Sequence, residues 1–287
     1  MTARRGRGPA SKLLLVVAGS DPSGGAGLEL DLKVLARLHV HGAAVATCHT
    51  LQSAAGMRGF RAASTRHGER QLDLLRRDAA IGAVKIGMLP NADWVALAAR
   101  TVDRLGGARC VVDPVLAPTI GPRVLPKAAV RRLVAELLPR ADLLTPNALE
   151  AAELLGVALE EVERDPDAAA RALVKLGPRA VLLKGGHLRS GRVVVDRLRG
   201  AHGDCDFVVV RRRGAAPRGT GCALSSAIAA GLLRGRRVVD SIEFAATWLQ
   251  RARAAAVVCG RGRPYLGLVS ASFERAGSSS HRSRRAV

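Results

Sequence analysis

Short runs rich in Val, Leu and Ile alternate along this chain with longer segments whose apolar residues recur at a helical period. The runs predict strands over Leu13–Gly19, Ala43–Leu51, Ala83–Met88, Cys110–Val115, Asp142–Thr145, Ala180–Lys184, Arg192–Leu198 and Asp206–Arg211. The helical period predicts helices over Ala26–Leu38, Glu69–Asp78, Asp93–Leu105, Lys127–Leu138, Ala148–Leu155, Pro166–Leu176, Thr220–Leu233 and Ser241–Val257. Strand runs that are apolar throughout suit a parallel sheet covered on both faces. Regular alternation of strand and helix then predicts a three-layer α/β/α fold with a mostly parallel central sheet. One interval breaks the rule. Between Arg192 and Arg211 two strand-like segments are joined by Gly200, Ala201, His202, Gly203 and Asp204, which leaves no room for a helix and predicts an antiparallel hairpin. No repeat or linker divides the chain, so the reading is a basic tail at 1–12, one domain at 13–268 and a Ser/Arg-rich tail at 269–287.

Composition narrows the class. A chain of 287 residues, 48% hydrophobic and 24% charged, has the balance of a globular protein with a large core. The apolar run Leu13–Ala18 is far shorter than the roughly 20 residues that span a bilayer, so no membrane partner is expected. Charge changes the picture more: 45 Lys and Arg against 24 Asp and Glu give +21, a balance that raises nucleic acid as a partner. Only six of those cations are lysines, the arginines are scattered, and aromatic residues are 2%, too few for stacking platforms. The excess reads as arginine-biased coding, and specific nucleic-acid binding is not expected. Five cysteines without a CxxC pair and without a signal peptide predict a reducing, cytoplasmic setting rather than a disulfide framework or structural zinc.

The residues with chemistry fall where strands turn into helices, the place where open parallel sheets collect ligands. Gly19 opens the loop Gly19-Ser20-Asp21-Pro22-Ser23-Gly24-Gly25-Ala26-Gly27, with Asp31 in the helix beyond; the loop is neither a Walker A sequence nor a clear GxGxxG. Gly219-Thr220-Gly221-Cys222 opens a small-residue helix, whose first amides and dipole form a site for a phosphoryl group. Cys222 at that helix start is expected to have a lowered pKa and to take a proton from a substrate hydroxyl. Asn147 and Glu150 in Thr145-Pro146-Asn147-Ala148-Leu149-Glu150 form either a helix capping box or part of a magnesium shell. Asp113 ends one strand and Lys184 another, in Leu183-Lys184-Gly185-Gly186-His187; a carboxylate by the metal and an ammonium by the phosphates complete a phosphoryl-transfer set.

Taken in order, these stretches resemble the hydroxymethylpyrimidine/phosphomethylpyrimidine kinases of thiamine biosynthesis, with the ribokinase-like fold. The matching segments are GSDPSGGAGLELDLKVL (19–35), VKIGML (84–89), VVDPV (111–115), LTPNALEAAELL (144–155), VLLKGGH (181–187) and GTGCALSSAIAA (219–230). The resemblance implies ATP- and Mg2+-dependent phosphorylation of a pyrimidine's hydroxymethyl group and then of the monophosphate. It implies a pyrimidine pocket at Gly19, Asp31, Gln52 and Met88, the base at Cys222 and an anion hole at Gly219, Thr220 and Gly221. On the nucleotide side it implies Lys184, Asp113 and Gly185 at phosphate, and Asn147, Glu150 and Asp113 at metal. It also implies a homodimer. Three stretches depart from the family pattern: Pro217-Arg218 stand in place of Thr-His, Ser53-Ala54 in place of Asn-Thr, and Leu116–Gly121 lacks a Lys-Ser. Two other readings stay open, a pyridoxal kinase of the same fold and a binding or regulatory relative without catalysis.

Overall fold

The computed structural model describes residues 12–117, 121–187, 193–210 and 216–269. Among them, nine strands form one sheet: β1 (Leu13–Ser20), β2 (Gly42–Ser53), β3 (Gly56–Ala62), β4 (Ile81–Ile86), β5 (Arg109–Val112), β6 (Leu143–Leu144), β7 (Ala180–Leu183), β8 (Val193–Gly200) and β9 (Cys205–Val210). The spatial order is β3-β2-β1-β4-β5-β6-β7-β8-β9. Strands β2 through β7 run parallel, and antiparallel hairpin strands flank them, β3 at one edge and β8–β9 at the other. The helices are α1 (Gly27–Arg37), α2 (Thr65–Asp78), α3 (Ala92–Arg104), α4 (Lys127–Arg132), α5 (Ala148–Leu155), α6 (Leu159–Arg164), α7 (Pro166–Val174), α8 (Thr220–Leu233) and α9 (Val238–Ala254).

Continuous apolar strands bury both faces, as the sequence predicts. Leu15, Val17, Ile86 and Val112 face a core built with Trp94, Leu97 and Leu173. Their neighbours Leu14, Val16 and Val111 face a second core with Leu35, Ile228 and Trp248. The period of two along each strand makes these two cores and hence three layers. Helix ends carry the expected chemistry. Ser64 caps α2 by accepting from the His67 amide (3.3 Å), and Asn91 caps α3 by accepting from Trp94 (3.0 Å). Asp165 caps α7, whose first residue is Pro166, where a missing N–H costs nothing.

The differences from the sequence reading have local causes. Strand β3, with two glycines and two arginines in seven residues, carries no apolar run to announce it. Helix α2 starts at Thr65 rather than Glu69 because its cap lies at Ser64. The helix expected over Lys127–Leu138 becomes α4, a π turn at Leu133–Leu137 and a 3-10 turn at Leu138–Arg140, where Pro139 cannot continue the ladder. Helix α6 is a further addition. The predicted hairpin is present as β8–β9; its outer ends Arg192 and Arg211, the loop at 118–120 and most of both tails lie outside the described residues.

Because β1 sits between β2 and β4, the chain goes to one side of β1 first and crosses to the other afterwards. That reversal opens a crevice beyond the carboxyl ends of β1 and β4. The site lies there.

Candidate active site

A cavity of about 500 Å3 occupies the crevice. Its walls come from the loop after β1 (Gly19, Asp21, Gly27), the β2–β3 hairpin (Gln52, Met57), the ends of β4 to β7 (Lys85, Met88, Asp113, Asn147, Glu150, Lys184) and Arg218–Cys222. Val194, Asp196 and Val209 of the β8–β9 hairpin and Ala246, Leu249 and Gln250 of α9 also line it. Strand pairing places these groups. The Asp113 amide donates to Ile86 (2.8 Å), Thr145 to Val112 (2.9 Å) and Lys184 to Pro146 (2.8 Å), so the strand ends stand side by side at one rim.

At one end of the cavity Thr47 Oγ1 donates to the Met88 carbonyl (2.7 Å), and Thr50 Oγ1 to that of Ser20 (2.9 Å), fixing the backbones of both β-strand exits. Gln52 Nε2 donates to Asp21 Oδ2 (3.3 Å). Gly19, Gln52 and Met88 line the cavity. Asp31 does not. It is fully buried behind the wall, where Lys85 Nζ donates to one carboxylate oxygen (2.7 Å) and Ser226 Oγ to the other (2.8 Å). Both oxygens are thus committed, and Asp31 serves as the counter-ion of Lys85, which does line the cavity.

Helix α8 begins at the middle of the cavity. Gly219, its N-cap, has φ of 70°, and a Cβ there would lie 2.2 Å from the Gly25 carbonyl oxygen. Glycine is therefore required by both conformation and close approach. The first-turn amides after it have no acceptor within the helix and carry the positive end of its dipole. Lys184 Nζ sits 3.2 Å from where a Cβ on Gly221 would be, which puts the ammonium beside the first turn of α8. Lys184 also donates to Asp113 Oδ1 (2.9 Å) and lies 4.0 Å from Glu150 Oε2.

The electrostatics follow from burial and these partners. Burial works against the Asp113 carboxylate, but Lys184 and then Lys85 hold its pKa below the ordinary value. Burial likewise opposes the Lys184 ammonium, yet Asp113 and Glu150 raise its pKa and keep it charged. Burial pushes Glu150 up to about 7, against the pull of Lys184. The Cys222 thiol corrects the sequence reading. Burial raises its pKa to about 11, outweighing Lys85 and the Gly27 amide, which pull it down. A helix N-terminus alone does not make this cysteine a thiolate.

Two further expectations are modified. Asn147 and Glu150 form a complete capping box, Asn147 Oδ1 accepting from the Glu150 amide (3.0 Å) and Glu150 Oε2 from the Asn147 amide (2.8 Å), while both also line the cavity. The Gly185 amide donates to Asp196 Oδ1 (2.7 Å), so it is spent on β8 rather than on phosphate; the neighbouring Gly186 lines the cavity. Lys85 and Asp21 went unremarked in the sequence. A lone lysine inside the apolar run of β4 was the signal for the first; nothing marked Asp21 beyond its place in the glycine-rich loop.

A helix N-terminus beside a charged lysine, two buried carboxylates and a thiol is an arrangement suited to holding a phosphoryl group in transfer, the chemistry of a phosphotransferase. The family model for phosphomethylpyrimidine kinase matches residues 21–266, and the chain belongs to that family. A hydroxymethylpyrimidine/phosphomethylpyrimidine kinase of Rhizobium meliloti is 38% identical over 88% of this chain and 94% of its own. Among solved structures, an ADP complex of Bacillus subtilis pyridoxal kinase has a TM-score of 0.81 at 26% identity, covering 91% of this chain and 98% of that one. The phosphomethylpyrimidine kinase of Clostridium difficile has a TM-score of 0.71 at 29% identity, covering 84% and 99%.

Proposed function

We propose that this protein transfers the terminal phosphoryl group of ATP to the hydroxymethyl group of 4-amino-5-hydroxymethyl-2-methylpyrimidine, and then phosphorylates the resulting monophosphate. The observation that carries this reading is the convergence of Lys184, the Gly219–Gly221 turn and Cys222 in one cavity that Gly19, Gln52 and Met88 also line. The substrate hydroxyl lies against Cys222 and its oxygen attacks the terminal phosphorus in line. The bond from phosphorus to the leaving oxygen breaks, and ADP departs with that electron pair. The hydroxyl proton passes to Cys222 acting as a thiolate. The amides of Thr220, Gly221 and Cys222 hold the equatorial oxygens through the transition state, and Lys184 neutralises the charge on the phosphates.

Magnesium fits the residues present. Asp113 and Glu150 are two carboxyl groups flanking one ammonium, oxygen ligands of the kind that a divalent cation takes. Among the described residues no group of three or more His, Cys, Asp or Glu is poised to hold a metal, which accords with an ion that keeps waters and phosphate oxygens as its other ligands. Asp113 and Glu150, with Asn147 beside them, would hold it; when bound it would neutralise the phosphates. All five cysteines lie within the described residues and none is paired; we place the protein in the cytoplasm. Among the described residues no helix is long and apolar enough to cross a membrane. We also infer a homodimer, with Leu51, 71% exposed on the edge hairpin, as apolar surface for a second copy to cover; sedimentation of the purified chain at twice its monomer mass is the expected result.

The reaction is tested by ADP release with the free pyrimidine, its monophosphate and pyridoxal supplied separately. Release with both pyrimidines, at a kcat/KM well above that for pyridoxal, is expected. A preference for pyridoxal would replace this reading with its rival, and silence with all three would leave a binding protein.

A further inference from the structure

Arg218 immediately precedes the phosphate-binding turn, yet its side chain reaches away from it. With 7% of the residue exposed, its guanidinium is held by two segments, the loop after β1 and the end of β2. Its Nη1 donates to Ser23 Oγ (3.1 Å) and to the Ser53 carbonyl, and its Nη2 to Asp21 Oδ2 (3.3 Å). Asp21, 2% exposed, also accepts at Oδ1 from the Ser23 amide (3.0 Å) and hydroxyl (2.7 Å), and at Oδ2 from Gln52 Nε2 (3.3 Å). The backbone of Arg218 is held from outside, its amide donating to the Pro264 carbonyl (2.9 Å).

The donor and acceptor inventory decides what this means. A carboxylate only accepts, so the Gln52 carboxamide must turn its NH2 toward Asp21 and keep its carbonyl oxygen for other partners. The ion pair with Arg218 and the two bonds from Ser23 hold the Asp21 carboxylate in place beside Gln52. Gln52 lines the end of the cavity assigned to the ring. We infer that Arg218 is a positioning residue for substrate choice: acting through Asp21, it fixes the Gln52 carbonyl toward the ring, so the cavity selects a ring carrying an amine donor over one carrying an ionised phenolic oxygen. The inference rests on the proposed reaction and adds to it the origin of the preference between pyrimidine and pyridoxal.

The test measures kcat/KM for hydroxymethylpyrimidine and for pyridoxal in the wild type, Arg218→Met, Arg218→Lys and Asp21→Asn. The pyrimidine Kd without nucleotide and the melting temperature are followed alongside. Arg218→Met should lower the pyrimidine-to-pyridoxal ratio about tenfold or more, the scale of losing an oriented polar contact, through KM for the pyrimidine and not for ATP. Arg218→Lys should restore part of it. Asp21→Asn, isosteric with the wild type, offers an N–H of its own and lets Gln52 turn; it should lower the ratio too, and it carries the test should Arg218→Met fail to fold. An unchanged ratio in the folded variants of an active protein overturns the role of Arg218 alone, whatever happens to the melting temperature. A wild type inert toward the pyrimidine overturns the reaction, and this inference with it.

Discussion

Cys222 has to lose a proton that burial, lifting its pKa to about 11, makes it hold tightly. If its thiolate is the base, kcat/KM should climb with pH from neutrality by close to tenfold per unit, because the deprotonated form grows by that factor below the pKa. A plateau from pH 7 upward would place the base elsewhere. Cys222→Ala should lower kcat by about two orders of magnitude and leave ATP binding in place, as checked by calorimetry. Lys184 is the other decisive residue. Lys184→Met removes the ammonium from phosphate and strands Asp113 and Glu150, so kcat should fall by roughly a hundredfold or more and ATP affinity with it. Most of these residues could be read from the sequence because they stand where strands give way to helices, beside a glycine or a proline. Their ionisation could not. Whether a cysteine at a helix start is acidic depends on how deeply it is buried and on Lys85 and Asp31, which come from other elements. The same holds for Asp31, a pocket carboxylate by position in sequence and a counter-ion by its contacts.

At the scale of elements, the site depends on segments that cannot be moved apart. A Cβ on Gly262 would meet the Ala54 backbone at 2.3 Å, so the chain at 260–264 lies directly on the β2–β3 hairpin. The Arg263 amide donates to the Ala54 carbonyl (3.2 Å), and its guanidinium to the Ala216 carbonyl (2.7 Å). Gly262→Ala should therefore displace the hairpin that carries Gln52, raising KM for the pyrimidine while kcat/KM for ATP hydrolysis by water stays near its wild-type value. Gly219→Ala should be harsher. It places a side chain in the left-handed region and against the Gly25 carbonyl, costing about 1–2 kcal/mol in conformation before any clash, and thermal unfolding should register the loss. The parallel core strands and most helices were legible because burial on both faces leaves continuous apolar runs. Strand β3 was not, since its pairing with β2 is set by backbone and turn rather than by apolar pattern, and neither was the π turn, which answers to Pro139 downstream.

For the molecule as a whole, one sheet reversal gathers groups from the exits of six strands into one cavity, and the surface charge is separate from that chemistry. A formal charge of +21 should give the protein sequence-independent affinity for DNA that falls steeply between about 50 and 200 mM salt. Binding that persists above physiological salt and depends on sequence would mean a second function for the arginines. The central claim concerns the start of α8, and a crystal structure with a non-hydrolysable ATP analogue and the pyrimidine tests it most directly. The terminal phosphorus should sit within hydrogen-bond reach of the amides of residues 220–222, with Lys184 on its oxygens and the substrate hydroxyl against Cys222. A terminal phosphate seated away from those amides, or a hydroxyl turned from the thiol, would contradict the account.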